Sequence, residues 1–201
     1  MSVIRSMHAP PRRADRHRIA RPNGWWGVVV FIATEATLFG TIFGSYFYLR
    51  FRTAAWPPKG IPDPAVTVPA ILTAVLVATS LVVQLAFWAG RAERVRAAQW
   101  LLVLALIVQG AYFGIQMHLF LDDLDKFSPS GSAYASIYFT MLGAHHAHVV
   151  FGMFLELFLV LRLVAGLTNY RLIGLQATTF YWHFVNVLAL CVLATQIYAA
   201  L

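Results

Sequence analysis

The sequence predicts an all-α polytopic membrane helix bundle of five transmembrane helices, with its N-terminus in the cytoplasm and its C-terminus outside. Three observations carry this. The chain has 201 residues, 60% of them hydrophobic and 11% charged, with a mean hydropathy of +0.69, whereas soluble domains carry roughly 25% charged residues. The apolar residues fall into blocks of about 20 or more, the length that crosses a hydrocarbon core roughly 30 Å thick. The arginines lie in alternate loops, which fixes an orientation.

Residues 1–23 form a basic cytoplasmic tail holding Arg5, Arg12, Arg13, Arg16, Arg18 and Arg21. It has no apolar core of its own, so it does not read as a cleavable secretory signal; its composition leaves an organellar transit peptide open. Residues 24–201 form the membrane domain. The first span, 24–50, opens on Trp25 and Trp26 and closes on Tyr46, Tyr48 and Arg50. Aromatic rings at both ends, with arginine just outside, mark the two membrane interfaces.

A loop with Pro57, Pro58, Pro62 and Pro64 cannot continue that helix. The second span covers 66–89, and Arg91, Arg94 and Arg96 make the turn into the third, 97–120. Asp122, Asp123 and Asp125, followed by Ser128-Pro129-Ser130-Gly131, close that block. The fourth span, 133–164, is long enough to tilt or to extend beyond the bilayer. Arg162 to Arg171 form the last turn, and the fifth span runs over 172–201. The tail, second loop and fourth loop hold the greater share of arginine, which places them in the cytoplasm.

The net charge of +7 does not point to nucleic acid, because the basic residues sit at the ends of apolar blocks and gather on no soluble face. Cys191 is the sole cysteine. That excludes an internal disulfide, Cys-x-x-Cys-His haem attachment and thiolate metal cages, and leaves Cys191 as a small packing residue.

Two acids, Glu35 and Glu156, lie well inside apolar blocks. A charge at mid-membrane costs roughly 2.5–3.5 kcal/mol on insertion scales, so each should be protonated, hydrogen-bonded or turned into the bundle. Glu35 is flanked by small residues (Ala33, Ala36, Thr37, Gly40, Thr41, Gly44), and the Gly40/Gly44 pair predicts close approach of a second helix. It reads either as a proton-relay carboxyl or as a structural bridge. His145 and His148, an i, i+3 pair, are expected to share a face, with Glu156 returning to nearly the azimuth of His145.

His183 opens the fifth block, and His118 lies near the outer end of the third. Imidazoles so placed could ligate zinc, copper, iron or haem, anchor lipid phosphates or tie helices together. A metal site would call for His-x-x-x-His with Glu between, or for histidines facing each other at matched depth.

Three segments carry a family resemblance. The run from Trp25-Trp26-Gly27 through Ile32-Ala33-Thr34-Glu35 to Tyr46-Phe47-Tyr48-Leu49-Arg50 resembles the opening of the helical core in subunit III of haem-copper cytochrome c oxidases. Gly143-x-His145-x-x-His148-Val149 is similar to that family's Gly-x-His-Gly-x-His-Val segment, and Tyr181-Trp182-His183-Phe184-Val185 to its Tyr-Trp-His-Phe-Val-Asp segment. Larger members have seven helices, and this chain resembles the shorter five-helix bacterial form.

The resemblance implies a subunit of the bacterial inner (cytoplasmic) membrane without redox centres, catalytic residues or metal ligands of its own. Haem and copper are expected in the catalytic subunit I, against which it packs together with subunit II. Phospholipid is expected in a cleft between its helices, and support of proton uptake and protection from turnover-linked inactivation as its role. Glu35 matches the family's membrane glutamate; His145, His148 and His183 match its histidines, with Glu156, Trp25 and Trp26 as further packing or lipid-contact residues.

His146 stands where the family has glycine, Asn186 where it has aspartate, and Ala189 where tryptophan is common. Subunit III of a quinol oxidase and an accessory protein of nitric oxide reductase share the resemblance. A free-standing membrane haem or metal protein is the alternative from another class; a small transporter would need an inverted repeat and broken helices, which the sequence does not display.

Overall fold

A computed structural model describes residues 23–166 and 168–200, so that the basic tail expected over 1–23 lies, but for Asn23, outside the described residues. The described residues form five helices: α1 (Asn23–Arg52), α2 (Thr67–Arg91), α3 (Val95–Lys126), α4 (Ala133–Val164) and α5 (Asn169–Ala200). Each is long and apolar enough to cross a membrane. At 1.5 Å per residue their 25 to 32 residues span roughly 38–48 Å, the hydrocarbon core plus part of both interfaces.

The turns follow from local chemistry. α2 closes through the amides of Ala92, Glu93 and Arg94, which donate to the carbonyls of Trp88, Gly90 and Ala89. Glu93 takes φ +58 to make that reversal. α3 runs past the aspartate cluster to Lys126, whose Nζ holds Asp123 at 3.0 Å. Ser132 caps α4, its Oγ accepting from the amide of Ala135 at 3.1 Å. Gly166, at φ +91, ends α4 in the left-handed conformation that glycine adopts without penalty.

Helices α2, α3, α4 and α5 form a closed ring in which each packs on the next, while α1 leans on the outside against α4 and α5. The core of the ring is built from Leu76, Val83, Leu102, Ala105, Val149, Trp182 and Val185. A second cluster joins α1 to the start of α4 and the end of α5, with Ile42, Tyr46, Tyr134, Phe139, Val192 and the loop residue Trp56.

Two sequence expectations are corrected here. Gly40 and Gly44 are exposed, and a Cβ on either would meet open space; they lie on the outward face of α1, about half a turn away from Glu35. The close approach occurs at Gly152 of α4, where a Cβ would stand 2.7 Å from the Trp182 ring. Cys191 is likewise exposed on α5 and packs no core.

Substituting Gly152→Val should force α4 and α5 apart and cost about 1–3 kcal/mol. Thermal unfolding of the purified protein in mild detergent measures this, with Gly40→Val as the comparison, expected to change little.

Candidate functional site

Polar side chains inside the spans have no water to bond to, so where they go defines the site. Helix α4 faces three neighbours and carries His145, His146, His148 and Glu156. His145 and His148 are separated by three residues, 60° short of a full turn, and between α3 and α1 that offset is enough to send them apart. His145 turns to α3, with Nε2 3.5 Å from the Tyr112 hydroxyl. His148 turns to α1. The shared face expected from the sequence is therefore split between two seams, whereas Glu156 and His145 do face the same neighbour, α3.

The α1–α4 seam holds Glu35. Its Oε2 lies 2.7 Å from His148 Nε2, and His148 Nδ1 lies 2.7 Å from the carbonyl oxygen of Ala144. A carbonyl only accepts, so Nδ1 carries a hydrogen and donates it to Ala144. A second proton then lies between Nε2 and Oε2, either on the carboxyl or on the imidazole. Both arrangements have zero net charge, which suits a site inside a membrane. The Glu35 and His148 side chains are 19% and 14% exposed.

The opening is a cavity of about 230 Å³ lined by Phe31, Glu35, Ala147, His148, Phe151 and Tyr181. Phe39 packs edge-on against the His148 ring at 5.2 Å, and Tyr181 donates its hydroxyl to the His148 carbonyl at 3.2 Å. Phe31, Phe151 and Tyr181 also line a second pocket of about 440 Å³ between α1, α4 and α5. Its walls are otherwise apolar, and Arg162 and Arg171 stand at one end. Arg171 Nη1 donates to the Gly166 carbonyl, and the Arg162 guanidinium lies 5.6 Å over the Phe158 ring.

The α3–α4 seam holds Glu156 and Gln109, both fully buried. Gln109 Nε2 lies 3.1 Å from each carboxyl oxygen. His146 is buried about 15 Å further along α4, its two ring nitrogens without a hydrogen-bond partner among the described residues. It fills the place a glycine would leave empty, edge-on to Phe113 and Phe120 at 6.1 and 5.3 Å.

The α2–α5 seam holds His183, whose Nε2 is 3.0 Å from Gln84 Oε1. Beside it Trp182 Nε1 donates to Thr79 Oγ1 at 2.9 Å and Asn186 Nδ2 to Ser80 Oγ at 2.7 Å. At the helix ends, Trp25 is buried against Phe180 with ring centroids 5.3 Å apart, while Trp26 is 57% exposed. His118 is exposed and pairs with Asp122 at 3.1 Å.

Sequence reasoning found the acids and imidazoles but not their partners Gln84, Gln109 and Tyr112. An amide inside an apolar run was the available signal, since an unpaired amide in hydrocarbon costs several kcal/mol.

The chain's relatives point the same way as its residues. A family model described as cytochrome c oxidase subunit III matches residues 8–200. The cytochrome c oxidase subunit 3 of Pisaster ochraceus is 32% identical over 184 residues, which cover 85% of this chain and 68% of that protein. The subunit 3 of Alkalihalophilus pseudofirmus is 29% identical over 181 residues, covering 88% of this chain and 87% of that one. The corresponding protein of Arabidopsis thaliana is 30% identical, covering 81% and 63%.

Substituting Gln109→Leu leaves the Glu156 carboxyl buried without its donor and should cost about 1–3 kcal/mol. Adding Glu156→Leu should recover most of that, because two apolar groups of similar shape replace the pair. A double-mutant cycle by denaturation in detergent checks this, and equal, additive losses would show that the two side chains are not coupled.

Proposed function

This chain belongs to the cytochrome c oxidase subunit III family and is a subunit III of a haem-copper oxidase, and we propose that in that complex it works without redox centres of its own, stabilising the catalytic subunit I and supporting proton uptake. Haem and copper belong to the catalytic subunit in this reading, and subunit II completes the assembly. The complex reduces oxygen and translocates protons in the bacterial inner membrane. The arginine-bearing loops, 91–96 and 162–171, lie in the cytoplasm by the positive-inside rule, which puts the C-terminus of α5 outside.

The observation that carries the proton role is the Glu35–His148 contact of 2.7 Å at the wall of an open cavity. A carboxyl bonded to an imidazole can pass its proton across one hydrogen bond while the pair stays neutral overall. A further proton taken from the cavity would give the pair a net positive charge, so a relay through it passes one proton in as another leaves and avoids holding a net charge inside the membrane. Its place on α4 links it to the lipid-sized pocket through Phe31, Phe151 and Tyr181.

That larger pocket is the phospholipid site. Its apolar walls suit an acyl chain, and Arg162 and Arg171 at one end suit a phosphate. A bound lipid would cover the approach to the Glu35 cavity from the bilayer, giving durability during turnover a physical basis.

Glu35→Gln should leave the oxidase assembled, since an amide can still donate to His148 Nε2, and should slow proton uptake or shorten catalytic life severalfold. Proton uptake into vesicles and turnovers to half-inactivation measure these. Loss of assembly in this variant would instead make Glu35 a structural bridge. Arg162→Ala should lower the phospholipid phosphorus of the washed complex by about one phosphate per complex, a count that phosphorus analysis reads directly.

A further inference from the structure

We infer that the middle of the α2–α5 face is the docking surface for a transmembrane helix of the catalytic subunit, and that this helix presents a hydrogen-bonding side chain at the same depth. The inference rests on the proposed packing against subunit I and adds which face makes the contact.

Depth comes first. The midpoint of α5 (Asn169–Ala200) falls between Phe184 and Val185, so His183 and Asn186 stand within two residues of it. The midpoint of α2 (Thr67–Arg91) is Thr79, one residue from Ser80 and five from Gln84, about 7.5 Å along the axis. These four side chains therefore lie at or near the centre of the bilayer. Ser80, Gln84 and His183 are nonetheless only half-buried within this chain. Hydrocarbon at that depth cannot hydrogen-bond them, and such residues turn towards protein.

The bonding capacity of Gln84 and Ser80 is unfinished in a way that a partner would complete. Gln84 uses its carbonyl oxygen on His183, and Ser80 uses its oxygen on Asn186. The Gln84 amide hydrogens and the Ser80 hydroxyl hydrogen are not consumed by these bonds. Asn186, 3% exposed, spends its amide hydrogens on Ser80 and the Trp182 carbonyl. Its Oδ1 is buried with no partner among the described residues, but it is enclosed within this chain, so the positions open to a neighbouring helix are those of Gln84 and Ser80.

On the α1–α4 side the mid-depth polar pair Glu35 and His148 is also partly exposed, but its members bond each other; the remaining outward surfaces lack this feature. On α1 the exposed hydroxyls of Thr34, Thr37 and Thr41 bond carbonyls of their own helix at 2.7 to 2.9 Å. The outward side of α3 presents Leu104, Ile107 and Ile115. Those surfaces fit lipid tails, and the α2–α5 face does not. Leu81, 61% exposed, and Val187, 56% exposed, flank the polar strip one turn from Gln84 and His183 and supply the apolar contact around it.

A photoreactive amino acid in place of Leu81 or Val187, with Ile107 of α3 as the control, tests this in membranes containing the whole oxidase. The expected result is a covalent adduct with the catalytic subunit from Leu81 and Val187 and none from Ile107. Adducts with the catalytic subunit from Ile107 alone, or adducts of Leu81 and Val187 with a second copy of this chain or with lipid only, would overturn the docking face while leaving membership of the complex intact. Failure of the chain to migrate with the oxidase on a native gel would bring down the packing reading itself. Independently, Gln84→Leu should reduce co-purification of the catalytic subunit roughly three- to tenfold, with the chain's own membrane level unchanged; unchanged co-purification would count against the polar contact.

Discussion

The structure depends on a constraint of its solvent: hydrocarbon bonds no polar group, so each polar side chain within a span must find another helix or a cavity. Pairs of helices that are not consecutive in the chain show the result. α1 reaches α4 through Glu35 and His148, and α5 through the Tyr46 hydroxyl and the Thr195 carbonyl at 2.8 Å. α2 reaches α5 through the Thr79, Ser80 and Gln84 contacts with Trp182, Asn186 and His183. The consecutive pairs α2–α3, α3–α4 and α4–α5 are held together by short turns as well, whereas α1 and α2 are linked by residues 53–66 and do not touch. Apolar packing between helices gains little over packing against lipid, so directional bonds between particular residues are what set the neighbours of α1 and close the ring at α2–α5.

Much of this was legible in one dimension. Length and composition determine the five spans, because a segment of about 20 apolar residues has few other options, and the cost of a buried acid singles out Glu35 and Glu156 before any geometry is known. What stays hidden is azimuth between helices. The i, i+3 relation of His145 and His148 says that they are near each other on α4, yet whether 60° separates two partners depends on what stands on either side. The same ignorance misplaces Gly40 and Gly44: small residues permit close approach, but only the packing of α1 decides which of its faces is turned inward. At Gly152 the glycine is in contact, and its large partner Trp182 is remote in sequence.

α4 is the hub for a reason visible in its residues. Its inward sides carry His145 and Glu156 towards α3, Gly152 towards α5 and His148 towards α1. Its outward side is Phe154, Leu157, Phe158 and Leu161, all exposed. One helix thus joins the buried ring to the loosely attached α1, and the cavity beside Glu35 exists because α1 touches α4 without being enclosed by further helices. Tight packing in the ring and open packing at α1 are complementary: the first holds His148 in place, and the second leaves its partner reachable.

The two carboxyls inside the spans show how the same kind of group is put to different ends. Glu156 is wholly enclosed and bonded to an amide, a group that neither gains nor loses a proton at ordinary pH. That pair can fix the distance between α3 and α4 but has nowhere to send a proton. Glu35 is bonded to an imidazole whose other nitrogen is committed to the Ala144 carbonyl, which leaves Nε2 as the one ring position that can accept or donate towards the carboxyl. The proton has two homes on one hydrogen bond and a cavity beside it. The amide partner suits a strut and the imidazole partner suits the proposed relay, so the chemistry of the neighbour, more than burial of the acid, is what favours Glu35 over Glu156 for that role.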